Sequence, residues 1–167
     1  LFKPRDIVSG DFYWVTAKDN KTIVVAADCT GHGVPGAFMS MLGVSLLNEI
    51  TSSSEKYTAA DILNELRENI KKTLSQTGKK DEAKDGMDLA LCIIDNSNGK
   101  AQYAGAYNPL LLVKNGEMIV FKADKMPIGI HIANEKPFTN HDFLVEKGDI
   151  IYMFSDGYAD QFGGPEN

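Results

Sequence analysis

The chain has 167 residues, of which 43% are hydrophobic and 24% charged, the composition of one soluble globular domain. Its formal net charge of −6 argues against a nucleic-acid-binding surface. The apolar run 23–27 is far too short to span a membrane, as is every other apolar run in the chain. The two cysteines, Cys29 and Cys92, do not have the spacing of a metal site, so a reduced, cytoplasmic setting is the simpler expectation.

The first elements predicted along the chain are a β-hairpin and a helix. Residues 11–17 are aromatic and β-branched, residues 22–27 are almost continuously apolar, and a polar turn separates them. Apolar residues at helical spacing then predict a helix over 35–51, which Pro35 is suited to begin.

A second amphipathic helix is predicted over residues 58–76. Thr58 and Asp61 are typical of an N-terminal capping box, with Asp in place of the usual Glu. Three methionines are expected to lie in the hydrophobic core: Met39, Met41 and Met126.

The remainder of the chain predicts strands. One pair is formed by "MDLALCIID" and "KAQYAGA", a hairpin turns at Asn115-Gly116, and another strand pair flanks "KGD" in "FLVEKGDIIYMF". About eight strands and two helices without βαβ alternation predict an α+β sandwich with mostly antiparallel sheets.

Three carboxylates stand beside glycine where a predicted strand begins or ends. They are Asp11 in "SGDFYW", Asp28 in "AADCTGHG" and Asp156 in "MFSDGYAD". A single aspartate at such a place is more often a cap or turn residue than a ligand. Three that converge would repel one another unless a cation lay between them. Oxygen ligands without a Cys or His cluster favour Mg²⁺ or Mn²⁺ over zinc.

These motifs, together with "YAGAYNPLLL", resemble in their order the motifs of the PPM superfamily of metal-dependent serine/threonine protein phosphatases, and within it the bacterial SpoIIE-type branch. The "D-x-[ST]-G-H-G-x-P" block before a helix is the most specific of them. The resemblance implies an αββα sandwich of two antiparallel sheets flanked by helices. It also implies a cleft for two Mn²⁺ or Mg²⁺ ions at one end of the sheets.

The resemblance implies roles for individual residues. Asp28 matches the metal-bridging aspartate, and Asp156 matches a later ligand of the first metal. Asp11 matches an acidic position at the second metal. Cys29 would offer its backbone carbonyl, not its thiol, to one metal.

The loop after Asp28 carries Gly31, His32 and Gly33. By the resemblance, the two glycines would shape this loop. His32 could be a general acid or could hydrogen-bond beside the loop to orient it, and the second role is favoured. Asp88 could be a site carboxylate or an outward-facing strand residue, and again the second is favoured.

Two features depart from the family's pattern. "YAGAYNP" stands where the branch often has "NAGHPP", which would alter the cleft wall. The family's last metal-ligand aspartate, which precedes a final strand, is not present before the terminal "GGPEN". The chain is therefore expected to be an excised domain that lacks its last strands, binds metal weakly and turns over poorly. An exposed sheet edge could also pair with a second chain, so a homodimer is a further expectation.

The implied activity is hydrolysis of phosphoserine or phosphothreonine on a signalling protein by a metal-activated water. In this branch the substrate is often an anti-anti-sigma STAS domain, and the catalytic domain is the cytoplasmic output of a larger sensor protein. Two other functions stay open. One is a non-catalytic signalling or dimerisation module, supported by the absent aspartate and opposed by the retained Asp11, Asp28 and Asp156. The other is a hydrolase of small phosphate esters.

Overall fold

The computed structural model of the chain describes residues 2, 4, 6–53, 57–79, 84–131 and 135–158. Within these ranges the chain forms eight β-strands, two α-helices and one short 3-10 helix. The strands are β1 (Phe12–Lys18), β2 (Lys21–Cys29), β3 (Met87–Asp95), β4 (Lys100–Ala106), β5 (Leu110–Lys114), β6 (Glu117–Phe121), β7 (His141–Leu144) and β8 (Ile150–Met153). The helices are α1 (Gly33–Ser53) and α2 (Ala59–Thr73), and the 3-10 helix is Asp156–Tyr158.

The strands form two sheets, which confirms the predicted α+β sandwich. The five-stranded sheet has the order β1-β2-β3-β4-β7, the three-stranded sheet has the order β6-β5-β8, and every paired strand is antiparallel. Both helices of the described ranges pack on the five-stranded sheet. None of these helices has the length and apolar character needed to cross a bilayer.

The hydrophobic core has two parts, one on each face of the five-stranded sheet. Leu89 and Leu91 of β3 face the helices, whereas Ala90 and Cys92 face the three-stranded sheet and pack near Leu110. Because successive strand residues point to opposite faces, a strand buried on both sides reads as a continuous apolar run. This explains the apolar composition of the central strands.

Local signals in the sequence are confirmed at two places. Thr58 caps α2: its Oγ1 accepts from the Asp61 N–H at 3.1 Å, and its own N–H donates to Asp61 Oδ2 at 3.0 Å. Asn115 and Gly116, with φ angles of 53° and 81°, form the hairpin turn between β5 and β6. Both angles lie in the left-handed region that this turn type requires.

The predicted strand pair around "KGD" is wrong. β7 pairs with β4 in one sheet and β8 pairs with β5 in the other, so this segment carries the chain between sheets. Directly after β7, the Val145 N–H donates to the carbonyl of Gly99, the residue before β4, at 2.9 Å. Lys114 of the second sheet then pairs with Glu146 at 2.9 Å. These contacts hold the crossing segment to both sheets.

The prediction that all three methionines lie in the core is also wrong. Met39 and Met126 are buried, but Met41 is 70% exposed. Each helical residue advances by about 100°, so Met39 and Met41 point in nearly opposite directions. Met41 instead continues an exposed apolar stripe on α1 that includes Val34 and Phe38.

Candidate metal centre

Three carboxylates stand side by side at one end of the five-stranded sheet. The register of β2 and β3 places Asp28 directly opposite Asp88. The register of β1 and β2 pairs Phe12 with Ala27, so Asp11, which precedes Phe12, comes beside Asp28. Directly opposite residues in an antiparallel pair have side chains on the same face. The fold therefore builds a row of like charges across three strands.

This row faces the space between the two sheets. Asp88 shares its face of β3 with Ala90 and Cys92, which pack against the three-stranded sheet. Asp156 reaches the same place from the other sheet, just after β8. The site carboxylates thus come from both layers of the sandwich.

The two layers are joined at the site by hydrogen bonding. Ser155 Oγ donates to Asp11 Oδ2 at 3.0 Å. The carboxyl of Asp28 lies within hydrogen-bonding reach of Asp11 and Asp156. The structure therefore brings together the three carboxylates that the sequence analysis selected.

The carboxyl groups of the site lie close together without a basic side chain to offset their charge, among the described residues. Burial raises the pKa of Asp28 to about 8, and hydrogen bonding with Asp11 and Asp156 and the charges of those two residues add to the effect. Burial, together with the charge of Asp156, raises the pKa of Asp88 to about 6. Across the described ranges, no Lys, Arg or His forms an ion pair with any of the four. A proton or a cation is needed to relieve this repulsion.

The donor chemistry of the site fits a hard divalent cation. Carboxylate oxygens are the preferred ligands of Mg²⁺ and also suit Mn²⁺. In their present positions, the described His, Cys, Asp and Glu side chains do not form a ready-made group of three or more at metal-binding spacing. The carboxylates of the row would therefore have to close around a cation to hold it.

Cys29 ends β2 next to Asp28 and is 4% exposed. Its carbonyl oxygen lies where a Cβ on Gly10 would approach it to 3.2 Å. Burial, with the charges of Asp28 and Asp11, raises the pKa of its thiol to about 12. The thiol is thus protonated at neutral pH, so the backbone carbonyl oxygen is the better metal ligand at this position.

The loop after β2 packs closely against neighbouring backbone. Gly31 and Gly33 have φ angles of 86° and 62°, in the region that favours glycine. A Cβ at Gly36 would lie 2.5 Å from the Gly31 carbonyl oxygen, and a Cβ at Gly10 would lie 2.7 Å from the same atom. Gly36 therefore lets the first turn of α1 approach the loop, and Gly10 lets the segment before β1 approach it; neither glycine stands out in the sequence.

His32 is exposed, and its Nδ1 lies 3.1 Å from Asp6 Oδ2. This contact ties the loop to the segment that precedes β1. The loop is tied to β3 as well, because the Thr30 N–H donates to the Gly86 carbonyl at 2.9 Å. The Gly86 N–H in turn donates to Thr30 Oγ1 at 3.2 Å.

The expectation that Asp88 faces outward is wrong. Asp88 is partly buried beside Asp28, on the face of β3 that packs against the second sheet. The sequence gives no direct signal of this, because the position of Asp88 depends on the register between strands about 60 residues apart.

Comparison with known proteins identifies the family. Residues 18–167 match the model of the family described as Stage II sporulation protein E (SpoIIE). The chain is similar to the SiaA-PP2C domain of Pseudomonas aeruginosa, with 30% identity and a TM-score of 0.83, over 98% of this chain and 62% of that one. The chain therefore spans less than two thirds of the length of that relative. No curated protein matches the chain significantly in sequence.

Two other solved structures share the fold. One contains the PP2C phosphatase domain and a fragment of the regulatory domain of SpoIIE from Bacillus subtilis, with 23% identity, a TM-score of 0.72, and coverage of 91% of this chain and 41% of that one. The other is RsbX in complex with magnesium, with 16% identity, a TM-score of 0.68, and coverage of 94% and 71%. Since the family match covers all but the first 17 residues and the fold agrees with it, the chain belongs to the SpoIIE family of PPM-type phosphatase domains.

Proposed function

We propose that the chain is a Mn²⁺- or Mg²⁺-dependent phosphatase that hydrolyses phosphoserine or phosphothreonine on a signalling protein. The observation that carries this proposal is the convergence of Asp11, Asp28 and Asp156 from two sheets, without a positively charged partner among the described residues. Membership of the SpoIIE family supports the reaction class.

Each residue of the site has a role in this proposal. Asp28, at the end of the central strand β2, would hold the cation together with Asp11, Asp156 and the Cys29 carbonyl. When bound, the cation supplies Lewis-acid chemistry that lowers the pKa of a water and neutralises charge on the phosphoryl oxygens. Ser155 would orient Asp11 through the hydrogen bond between them, which is 3.0 Å long.

The cysteines of the chain are poorly suited to covalent catalysis. Cys29 and Cys92 are both buried, and burial raises the pKa of each thiol to about 12. Neither is followed by arginine in the Cys-x5-Arg spacing that a cysteine-based phosphatase would use. A thiol with so high a pKa is a weak nucleophile at neutral pH. Water is therefore the proposed nucleophile.

A protein substrate is favoured over a small ester by the surface beside the site. α1 begins within the site loop, and its first turns expose Val34 and Phe38, followed by Met41. Clustered exposed apolar side chains are typical of surfaces that bind other proteins. We propose a phosphorylated STAS domain as the substrate and a regulatory or sensor domain upstream in the same protein. The solved relative with a regulatory-domain fragment is consistent with such an arrangement.

The test is Mn²⁺-dependent release of phosphate from p-nitrophenyl phosphate and from a serine-phosphorylated STAS domain. We expect activity only with divalent cation, and a loss of kcat/KM of about 100-fold or more in Asp28→Asn. Glu117→Gln, which removes one negative charge at an exposed position of β6, is the matched control and should stay within about twofold.

Other outcomes would support the alternative functions. Hydrolysis of the small ester without the phosphoprotein would indicate a hydrolase of small phosphate esters. A folded chain that binds Mn²⁺ and hydrolyses neither substrate would indicate a non-catalytic module.

A further inference from the structure

We propose that Asp88 is a fourth carboxylate of the metal centre and holds a cation together with Asp28 and Asp156. The inference depends on the proposed function in one respect, namely that the centre binds a divalent cation. The family motifs matched to this sequence assign carboxylate roles only to Asp11, Asp28 and Asp156. The assignment of Asp88 comes from strand register.

The register places Asp88 where a ligand is needed. Asp88 and Asp28 are directly opposite each other on β3 and β2, on the face toward the second sheet. Residues opposite each other in an antiparallel pair have Cβ atoms about 5 Å apart, so one cation can contact both carboxylates. Asp156 approaches the same row from the second sheet, after β8.

The backbone around Asp88 is held firmly. On one side, Met87 exchanges hydrogen bonds with Ile128: its N–H donates at 3.0 Å and its carbonyl accepts at 2.9 Å. One residue earlier, Gly86 is bonded to Thr30 through both its carbonyl and its N–H. A ligand mounted on such a fixed backbone loses little conformational freedom when a metal binds.

Among the described residues, no hydrogen-bonding or capping role explains a carboxylate at position 88. Asp95, at the other end of β3, accepts hydrogen bonds from Ser97 and Asn98 in the turn. Asp61 caps α2 in the same way. Within the described ranges, no hydrogen bond or ion pair involves the Asp88 carboxylate, although it is partly buried.

The carboxylate of Asp88 is costly without a cation. It is partly buried and lies near the carboxyl groups of Asp28 and Asp156, so an ionised Asp88 adds negative charge to a site without a positive partner among the described residues. An apolar residue or Thr at position 88 would remove this cost and suit a strand better. A carboxylate here is therefore accounted for by binding rather than by folding.

The test compares Mn²⁺ binding and thermal unfolding of the parent chain, Asp88→Asn, Asp28→Asn and Glu117→Gln. Bound Mn²⁺ is counted from the loss of the free-ion signal in electron paramagnetic resonance, up to millimolar Mn²⁺. We expect Asp88→Asn to bind Mn²⁺ about tenfold or more weakly, and to have a higher Tm than the parent without metal. Glu117→Gln should match the parent in both measurements. Asp88→Thr serves as the second variant if Asp88→Asn does not fold.

The outcomes separate this inference from the proposed function. Unchanged Mn²⁺ binding in Asp88→Asn, with loss in Asp28→Asn, overturns the role of Asp88 and leaves the phosphatase in place. If Asp88→Asn binds Mn²⁺ more weakly but the parent chain has no phosphatase activity, the role of Asp88 is supported and the proposed function is overturned. A parent chain that binds no Mn²⁺ overturns both.

Discussion

Thr30 and Gly86 hold the ends of β2 and β3 together through two hydrogen bonds. The Thr30 N–H donates to the Gly86 carbonyl at 2.9 Å, and the Gly86 N–H donates to Thr30 Oγ1 at 3.2 Å. Thr30 lies two residues after Asp28, and Gly86 lies two residues before Asp88. This pair of residues therefore helps to set the relative positions of two carboxylates of the candidate metal centre.

The first prediction concerns the Thr30 hydroxyl. Thr30→Val keeps the shape of the side chain but leaves the Gly86 N–H without its acceptor, so the free energy of unfolding should fall by about 1 kcal/mol. Mn²⁺ binding should weaken in the same variant. Urea denaturation and Mn²⁺ titration measure the two effects. Thr30→Ser, which keeps the hydroxyl, should resemble the parent, and equal losses in both variants would contradict the role of this bond.

The second prediction concerns Gln76, which follows α2 and joins it to two other segments. Its Nε2 donates to the Asp85 carbonyl at 2.6 Å, and its Oε1 accepts from the Ile130 N–H at 3.0 Å. Gln76→Ala removes both partners and should lower the free energy of unfolding by about 1–3 kcal/mol.

The control for Gln76 is an exposed side-chain hydrogen bond. Asn96 Nδ2 donates to Thr22 Oγ1 at 2.9 Å on the surface, and its loss in Asn96→Ala should cost about 0.5 kcal/mol or less. Equal losses for the two alanine variants in urea denaturation would show that Gln76 has no special role in joining α2 to the start of β3.

The third prediction concerns the pH dependence of stability without metal. The pKa of Asp28 is about 8 in the folded chain, against an ordinary value of 3.8, so the folded state binds its proton more tightly than the unfolded state. This contribution to stability is complete below about pH 4 and is lost as the pH rises to about 8. The metal-free Tm should fall over this range, and Asp28→Asn should flatten the fall. A parent and variant with parallel profiles would be evidence against the shift.

The fourth prediction compares two methionines on the same helix. Met39 is 6% exposed and Met41 is 70% exposed. Met39→Ala should lower the free energy of unfolding by about 2–5 kcal/mol, because it leaves a cavity in the core. Met41→Ala should cost about 0.5 kcal/mol or less. Chemical denaturation of the two variants measures the difference in free energy of unfolding. Similar losses for both would contradict the exposed position of Met41.

The sequence predicted the features that depend on neighbouring residues. Thr58 and Asp61 of the capping box are three residues apart, and Asn115 and Gly116 of the turn are adjacent. Local stereochemistry is therefore enough to specify both features. The central strands were recognisable because burial on both faces leaves an apolar run.

Features that depend on distant residues could not be predicted in the same way. Nothing near β7 and β8 indicates that they belong to different sheets, because that depends on β4 and β5. The sequence favours an outward-facing Asp88, because nothing near it shows that it lies opposite Asp28; that pairing depends on the register between strands far apart in sequence. The apolar character of Met41 predicts a place in the core, although the direction of its side chain on α1 excludes it from the interior.

The hydrogen bond between Ser155 and Asp11 joins residues 144 positions apart, and this separation has a consequence for folding. Contacts of such high contact order require the closure of a very large loop, and they form late. The metal centre is thus completed only after both sheets have assembled. A divalent cation should therefore not nucleate folding; it should bind the finished domain and slow its unfolding, with little effect on the folding rate.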